Sequence, residues 1–173
     1  PHSFRLSCSW GPDAALGSVV ALHTTRWGYA GDTPRDPTYH SLGYPTEVFQ
    51  ADFDPDTVKY RELLDLAFES HNPHHQTSKT QYQTVVLTAT KAQQATLTEF
   101  LSSQGFTADD IGTRIEQLSR FYPAEDYHQK YKLRSVSSPM DTFDDTGYDD
   151  EEVREAPIAS KVNGYAAGQD AAV

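Results

Sequence analysis

The sequence contains a single cysteine, Cys8, among its 173 residues. One cysteine excludes an intrachain disulfide framework and fits a reducing compartment. No run of about 18 apolar residues is present, so the sequence predicts no membrane-spanning helix. The N-terminal stretch PHSFRLSCSW also lacks the charged and apolar regions of a signal peptide. We therefore expect a cytoplasmic protein.

Positive charge is also scarce, since 14 Lys and Arg stand against 25 Asp and Glu, giving a net charge of −11. This balance argues against nucleic-acid binding through a general basic surface. Part of the acidity is local, in DTFDDTGYDDEEVREAP at 141–157. Such a charge run is typical of a solvated face or a flexible segment.

Hydrophobic residues make up 37% of the chain, which is enough for one domain with a sizeable core. Alternating or continuous apolar segments predict strands, and 3.6-residue periodicity with capping residues predicts helices. The resulting order is β-α-β-β-α-β-α-β. The predicted strands are 3–10, 21–31, 46–54, 83–90 and 113–119, and the predicted helices follow Pro12, cover 58–71 and 91–105, and begin at Pro123.

This order predicts an α+β fold, a two-layer ferredoxin-like sandwich with a mixed sheet. We expect a catalytic domain at 1–135. An irregular acidic extension at 136–173 is expected to pack on that domain or to trail from it.

Cys8 is the first candidate for chemistry, because it lies between a predicted strand and a predicted helix. A thiol at a helix N-terminus has a lowered pKa and is more nucleophilic. A free cysteine is also often a small buried residue, so both interpretations stay open from position alone. Trp10, two residues later, is equally compatible with a place in the core.

Glu47 is the second candidate. On an alternating strand it shares a face with Phe49, Ala51 and Phe53, which should point to the core. Desolvation on that face would raise the pKa of the carboxyl group and make it a proton donor. The alternative is a glutamate at a strand end that reaches water.

The remaining candidates are less specific. Residue type alone does not separate the tyrosines that lie near turns, which are Tyr29, Tyr39, Tyr82, Tyr122, Tyr127 and Tyr131. The histidines His71, His74 and His75 match no zinc-binding spacing, so we predict no metal. The sequence holds no phosphate loop, dinucleotide-binding glycine pattern or nucleophile elbow, so we also predict no cofactor.

Six motifs occur together in a fixed order, and with them the sequence resembles the type A peptide-methionine sulfoxide reductases. The resemblance runs from Leu6 to about Arg134, with the tail matched at 163–168. The composition is similar to that of family members from salt-adapted archaea. The motifs are SCSWG, GYAGDTPRDPTY, GYPTEVFQADFDPDTVKYRELLDLAFESHNP, TQYQTVV, FYPAEDYHQKY and NGYAAG.

The resemblance implies a role for each matching residue. Cys8 matches the nucleophile, and Trp10 matches the tryptophan that holds the substrate methyl group. Glu47 matches the general acid, while Tyr29 and Tyr82 match the phenols that hydrogen-bond the sulfoxide oxygen. The implied reaction reduces S-epimer methionine sulfoxide, free or in proteins, and leaves Cys8 as a sulfenic acid.

Three positions depart from the family pattern. Ser9 replaces a phenylalanine of the methyl pocket, residues 76–78 stand where the family supplies an aspartate, and Ala166 replaces a resolving cysteine. Weaker methyl binding is expected, by ~1–3 kcal/mol if the ring is not replaced. Without a second cysteine, an external thiol must reset the enzyme: thioredoxin, a glutaredoxin-like protein or a small thiol.

We expect a monomer that binds neither nucleic acid nor membrane. Two alternatives remain at this point. One is an enzyme of the same fold that acts on a different small sulfoxide, which Ser9 would favour. The other is a non-catalytic cysteine redox sensor.

Overall fold

The computed structural model describes residues 2–7, 16, 19, 22–30, 46–79 and 82–168. The strands are β1 His2–Ser7, β2 Leu22–Ala30, β3 Thr46–Phe53, β4 Val85–Thr88, β5 Arg114–Gln117 and β6 Phe121–Pro123. They form one six-stranded sheet in the order β5-β4-β1-β3-β2-β6. Strands β4 and β5 run parallel, whereas the other neighbours run antiparallel. The sheet is mixed, and the predicted α+β class is confirmed.

The described helices are α1 Tyr60–Glu69, α2 Lys91–Ser103, α3 Tyr131–Arg134, α4 Ser137–Asp145, α5 Asp150–Glu155 and α6 Pro157–Ala166. Two short 3₁₀ helices cover Ala108–Asp110 and Asp126–His128. Among the described residues, no helix is both long enough and apolar enough to cross a membrane.

Helices α1 and α2 lie where the periodicity predicts them. The N-cap of α1 is Lys59, whose backbone is extended. The backbone N–H of Lys59 donates to Oε2 of Glu62 at 2.6 Å, which is the glutamate half of a capping box, and the Glu62 N–H donates to the Lys59 carbonyl oxygen at 3.0 Å. Helix α2 ends before Gly105, whose φ of +88° suits a residue without a side chain.

The main hydrophobic core lies between the sheet and these two helices. Phe49, Ala51 and Phe53 of β3 project into it, as alternation along the strand predicts. The apolar face of α1 packs against them, with Leu63 and Leu64 fully buried. The β3 face that carries Glu47 is therefore the core face.

The acidic C-terminal segment is helical, so the expectation of an irregular extension is wrong. Phe143 of α4, Val153 of α5 and Ala159 of α6 pack around Leu133 in a second, smaller core. Asp149 caps α5 by accepting from the N–H of Glu152 at 2.8 Å. The acidic side chains lie on exposed faces of helices whose apolar residues are buried. The expected domain boundary at 135 stays a prediction.

The segment after β5 also differs from expectation, because Pro123 ends strand β6 instead of beginning a helix. Proline is tolerated there because β6 is an edge strand. The chain packs closely against β2, since a Cβ at Gly28 would collide with the Phe121 ring and the Tyr122 carbonyl oxygen. Lys130 lies between the 3₁₀ helix Asp126–His128 and α3, and its φ of +52° is in the left-handed region.

Side chains complete the part of the β2 edge that β6 does not cover. The backbone N–H of Trp27 donates to Oε1 of Gln129 at 2.9 Å, and Nε2 of Gln129 donates to the Trp27 carbonyl at 2.8 Å. The Thr25 N–H donates to Oγ of Ser160, and Nζ of Lys130 donates to the Thr25 carbonyl. These bonds satisfy buried backbone groups that would otherwise be costly.

Arg26 connects the C-terminal helices to the sheet. Its Nη1 donates to Oδ2 of Asp52 at 2.6 Å, and its Nε donates to Oε1 of Glu155 at 2.8 Å. The hydrogen bonds from Arg26 lower the pKa of Glu155 from 4.5 to about 2, and burial opposes this effect in part. The ionised form of Glu155 is therefore favoured by folding.

We expect Glu155→Gln to lower the free energy of unfolding by about 1 kcal/mol at neutral pH, a modest effect because the Glu155 side chain is 39% exposed. The folded-state pKa is the lower one, so this stabilisation is complete above pH 4.5 and disappears as the pH falls toward 2. Denaturant unfolding of wild type and variant across this range checks it. Glu99→Gln, on the exposed face of α2, should change stability at no pH. If the difference in free energy of unfolding between wild type and Glu155→Gln stays constant as the pH falls, the ion pair between Arg26 and Glu155 is not its source.

Candidate active site

A cavity of about 100 Å³ lies at the end of the sheet where β2 finishes and β3 begins. It is bordered by these strands, by the segment before β4 and by the segment after β6. The described residues that line it are Trp27, Gly28, Tyr29, Glu47, Tyr82, Ala124, His128 and Tyr131. Three residues predicted from the sequence, Tyr29, Glu47 and Tyr82, are thus brought together from distant parts of the chain.

The register of β2 against β3 places Tyr29 directly opposite Glu47. Directly opposed residues in an antiparallel pair project from the same face of the sheet. Two positions further into the sheet, Trp27 opposes Phe49, and their rings meet edge to face at 6.2 Å between centroids. Glu47 is half-buried and lines the cavity.

Tyr29 is almost fully buried, at 2% exposure. Its hydroxyl donates to Oε2 of Glu125 at 2.9 Å. Burial, this hydrogen bond and the nearby carboxylate of Glu47 all raise the pKa of Tyr29 above its usual value. The phenol therefore keeps its hydrogen at physiological pH.

Tyr82 borders the cavity from the segment before β4 and is 45% exposed. Gln76 holds this segment in place: its Nε2 donates to the carbonyls of Thr84 and Gly112, each at 2.9 Å. The Thr84 N–H donates back to Oε1 of Gln76, also at 2.9 Å. Gln76, which lies in the segment where the family supplies an aspartate, therefore bonds to backbone groups. It is not among the described residues that line the cavity.

Sequence reasoning did not single out Trp27 or His128, and it left Tyr131 among several equivalent tyrosines. His128 and Tyr131 follow Ala124 in the motif AEDYHQKY, at steps of four and three residues. That spacing would have suggested one shared face on a helical turn. Glu125 of the same motif was also missed, because its partner Tyr29 is 96 residues away.

Cys8, Ser9 and Trp10 lie outside the described residues. Strand β1 ends at Ser7, directly before Cys8 in the chain. Leu6 pairs with Phe49 of β3 and with Val86 of β4. The predicted roles of the three residues stay predictions.

Two of the candidate histidines have separate local partners. The ring of His71 bonds the Ala67 carbonyl and the Thr113 hydroxyl, and burial lowers its pKa. The ring of His74 contacts the Asp110 carbonyl oxygen at 3.3 Å. Within the part of the chain that the structure describes, no group of three or more His, Cys, Asp or Glu side chains is placed to hold a metal ion.

The family model for "Peptide methionine sulfoxide reductase" matches residues 3–169, nearly the whole chain. The chain belongs to the peptide methionine sulfoxide reductase family. It is an oxidoreductase that acts on methionine sulfoxide and requires a thiol reductant. The family predicted from the six sequence motifs is confirmed.

Curated relatives agree with this family. The chain is 34% identical to a peptide methionine sulfoxide reductase of Drosophila melanogaster over 169 residues, covering 96% of this chain and 68% of the relative. It is 37% identical to the peptide methionine sulfoxide reductase of Haloquadratum walsbyi over 140 residues, covering 75% and 80%.

Solved structures of this reductase family share the fold. Reduced Mxr1 of Saccharomyces cerevisiae matches with a TM-score of 0.64 and 26% identity, over 79% of this chain and 86% of that one. Methionine sulfoxide reductase A of Corynebacterium diphtheriae matches with a TM-score of 0.60 and 25% identity, over 78% and 76%.

We expect Tyr29 to remain protonated as the pH rises through 10, because burial and the bond to Glu125 disfavour the phenolate. The measurement is the ultraviolet difference titration between wild type and Tyr29→Phe. At pH 10 the folded wild type and the folded variant should show the same phenolate absorbance. After unfolding, wild type should show the absorbance of one more phenolate than the variant, because Tyr29 then ionises. A phenolate signal from Tyr29 near pH 10 in folded protein would disprove the raised pKa.

Proposed function

We propose that this reductase acts on the S epimer of methionine sulfoxide, free or in proteins, through thiolate attack by Cys8. Glu47 acts as the general acid, and Tyr29 and Tyr82 hydrogen-bond the sulfoxide oxygen. The observation that carries the proposal is the shared cavity of Glu47, Tyr29 and Tyr82. A carboxyl group and two phenols around one small cavity suit an oxygen that must take up a proton.

The position of β1 supports Cys8 as the nucleophile. Leu6 pairs with Phe49, which lies two residues after Glu47 on the neighbouring strand. Cys8 follows Ser7, the last residue of β1, directly in the sequence. This order along the chain supports the proposed role of Cys8.

The proposed step conserves atoms and electrons. The thiolate of Cys8 bonds to the sulfoxide sulfur while Glu47 donates a proton to the sulfoxide oxygen. The S–O bond of the substrate and the transient bond between the two sulfur atoms then break, the protonated oxygen passes to the Cys8 sulfur, and methionine leaves as the thioether. The sulfoxide is reduced by two electrons, and Cys8 is oxidised to the sulfenic acid.

Aromatic rings of the cavity support binding of the substrate methyl group. Trp10 is the proposed methyl contact, and Ser9 removes the ring that usually stands beside it. Trp27 and Tyr131 line the cavity and supply apolar surface from β2 and α3. Their presence supports binding of an apolar group on the sulfoxide sulfur, such as the methyl group of methionine sulfoxide.

Regeneration requires an external thiol, because the chain has no second cysteine. The motif NGYAAG ends α6 with Ala166, and Asn163 in it accepts from the Leu133 N–H at 3.0 Å. We propose that thioredoxin, a glutaredoxin-like protein or a small thiol attacks the sulfenic acid, and that a second thiol clears the mixed disulfide. A cytoplasmic, monomeric enzyme remains our expectation.

Turnover of the separated sulfoxide epimers with a chemical dithiol tests the catalytic roles. We expect wild type to reduce the S epimer alone, Cys8→Ser to be inactive, and Glu47→Gln to lose about 10²–10⁴-fold in kcat. Glu69→Gln, at the exposed end of α1, is the matched carboxylate control and should retain full activity. Wild-type turnover no greater than that of Cys8→Ser would leave the redox-sensor alternative standing.

Ser9→Phe tests the methyl pocket. If the missing ring weakens methyl binding, the variant should lower KM for methionine sulfoxide by about 5- to 150-fold, which corresponds to ~1–3 kcal/mol. Ser9→Ala removes the hydroxyl without adding a ring and should leave KM nearly unchanged. Faster wild-type turnover of bulkier, non-methyl sulfoxides than of methionine sulfoxide would favour the altered-substrate alternative.

A further inference from the structure

Glu125 is a second carboxylate next to the cavity, and the function proposed above gives it no role. It lies between β6 and the following 3₁₀ helix and is half-buried. Its Oε2 accepts the hydroxyl hydrogen of Tyr29 at 2.9 Å. The group that should donate to the substrate oxygen therefore already donates to a protein carboxylate.

The backbone around Glu125 is fixed against β2. The Ala124 N–H donates to the Trp27 carbonyl at 2.9 Å. The Ala124 carbonyl accepts from Nε2 of Gln129 at 2.8 Å, and Gln129 is fully buried and also bonds both backbone groups of Trp27. Since Trp27 is two residues from Tyr29 on the same strand, the carboxylate is held in register with the phenol.

A phenol has one hydrogen, so Tyr29 donates to one acceptor at a time. A sulfoxide oxygen only accepts hydrogen bonds. While Glu125 holds the hydrogen, a sulfoxide in the cavity meets the lone pairs of the Tyr29 oxygen. Because the raised pKa keeps Tyr29 protonated, the direction of its hydrogen is what varies.

We propose that Glu125 is a positioning residue that sets the direction of the Tyr29 hydroxyl hydrogen and makes donation to the substrate oxygen dependent on pH. This inference rests on the proposed function. Ionised Glu125 accepts the hydrogen and withholds it from the cavity. Protonated Glu125 donates its own hydrogen to the Tyr29 oxygen, and the phenol then turns its hydrogen to the sulfoxide. The change reorders hydrogen bonds and consumes no reactant.

Other titratable groups surround Glu125 and must be separated from it. Asp126, the next residue, is exposed and lies 3.6 Å from Nη1 of Arg154 on α5. It is therefore a carboxylate control one position away. The groups to be considered are Tyr29 on β2, Glu47 on β3, Asp126, Tyr127 and His128 on the same segment, and Arg154 on α5.

The test compares kcat and KM for methionine sulfoxide from about pH 3 to about pH 8, a range that includes the ordinary glutamate pKa of about 4.3, with a chemical dithiol. Glu125→Gln imitates the protonated residue, because its amide can donate to Tyr29. We expect the kcat of this variant, relative to wild type, to rise with pH to about tenfold, with little change in KM. Asp126→Asn should follow wild type at every pH.

A double-mutant cycle shows whether Glu125 acts through Tyr29. In a Tyr29→Phe background, Glu125→Gln should have no effect on kcat at any pH. The proposal is overturned if Glu125→Gln has the same effect with and without Tyr29, or if its pH profile parallels that of wild type. If Glu125→Gln does not fold, Glu125→Ala takes its place in the same comparison, because it also removes the carboxylate acceptor.

The bond can also be observed without turnover. With 13C at the tyrosine Cζ atoms and Tyr29→Phe for assignment, Glu125→Gln should move the titration of Tyr29 to lower pH, since an accepting carboxylate is gone. If wild type is inactive but Glu125→Gln shifts the Tyr29 titration, the proposed function is wrong and the hydrogen bond between Tyr29 and Glu125 is supported. If wild type is active but Glu125→Gln leaves the Tyr29 titration unchanged, only the positioning role of Glu125 is wrong.

Discussion

The antiparallel pairing of β2 with β3 is the constraint on which the rest of the structure depends. Its register sets Tyr29 opposite Glu47 and Trp27 opposite Phe49. A shift of one residue would move every side chain of one strand to the other face. Phe49 would then leave the core and Glu47 would leave the cavity, so the hydrophobic packing that fixes the register also fixes the candidate active site.

The far side of β2 shows how later parts of the chain complete this site. The edge of β2 is satisfied in part by β6 and in part by the side chains of Gln129, Lys130 and Ser160. The hydrogen bonds that satisfy this edge bring His128 and Tyr131 to the cavity and Glu125 to the Tyr29 hydroxyl. The C-terminal helices add Glu155, which bonds Arg26 on β2. The contacts that stabilise the edge of β2 therefore also determine the shape of the candidate active site.

A single cysteine places particular demands on the groups around it. The proposed reaction needs a proton at the sulfoxide oxygen. Among the described residues that line the cavity, one is a carboxylate, Glu47, and a second carboxylate, Glu125, lies behind a buried phenol. Tyr29 stands between them, and both raise its pKa. A buried phenol between two carboxylates allows the protonation of a carboxylate to set the direction of the phenol hydrogen.

Much of this protein could be predicted from its sequence, because local patterns carry that information. Alternation along β3 indicated the core face, periodicity indicated α1 and α2, and ordered motifs indicated the family. The motifs also selected Glu47, Tyr29 and Tyr82, which line one cavity, and their roles stay predictions. Charge density at 141–157 indicated a solvated face, and most of these acids are exposed. It did not reveal that the segment is helical, because the apolar side chains that pack there, such as Phe143 and Val153, are few and widely spaced in the sequence. Only the tertiary structure joined Tyr29 to Glu125 and brought Trp27 and His128 to the cavity. Those contacts depend on strand pairing and edge hydrogen bonds between distant residues, which no local pattern records.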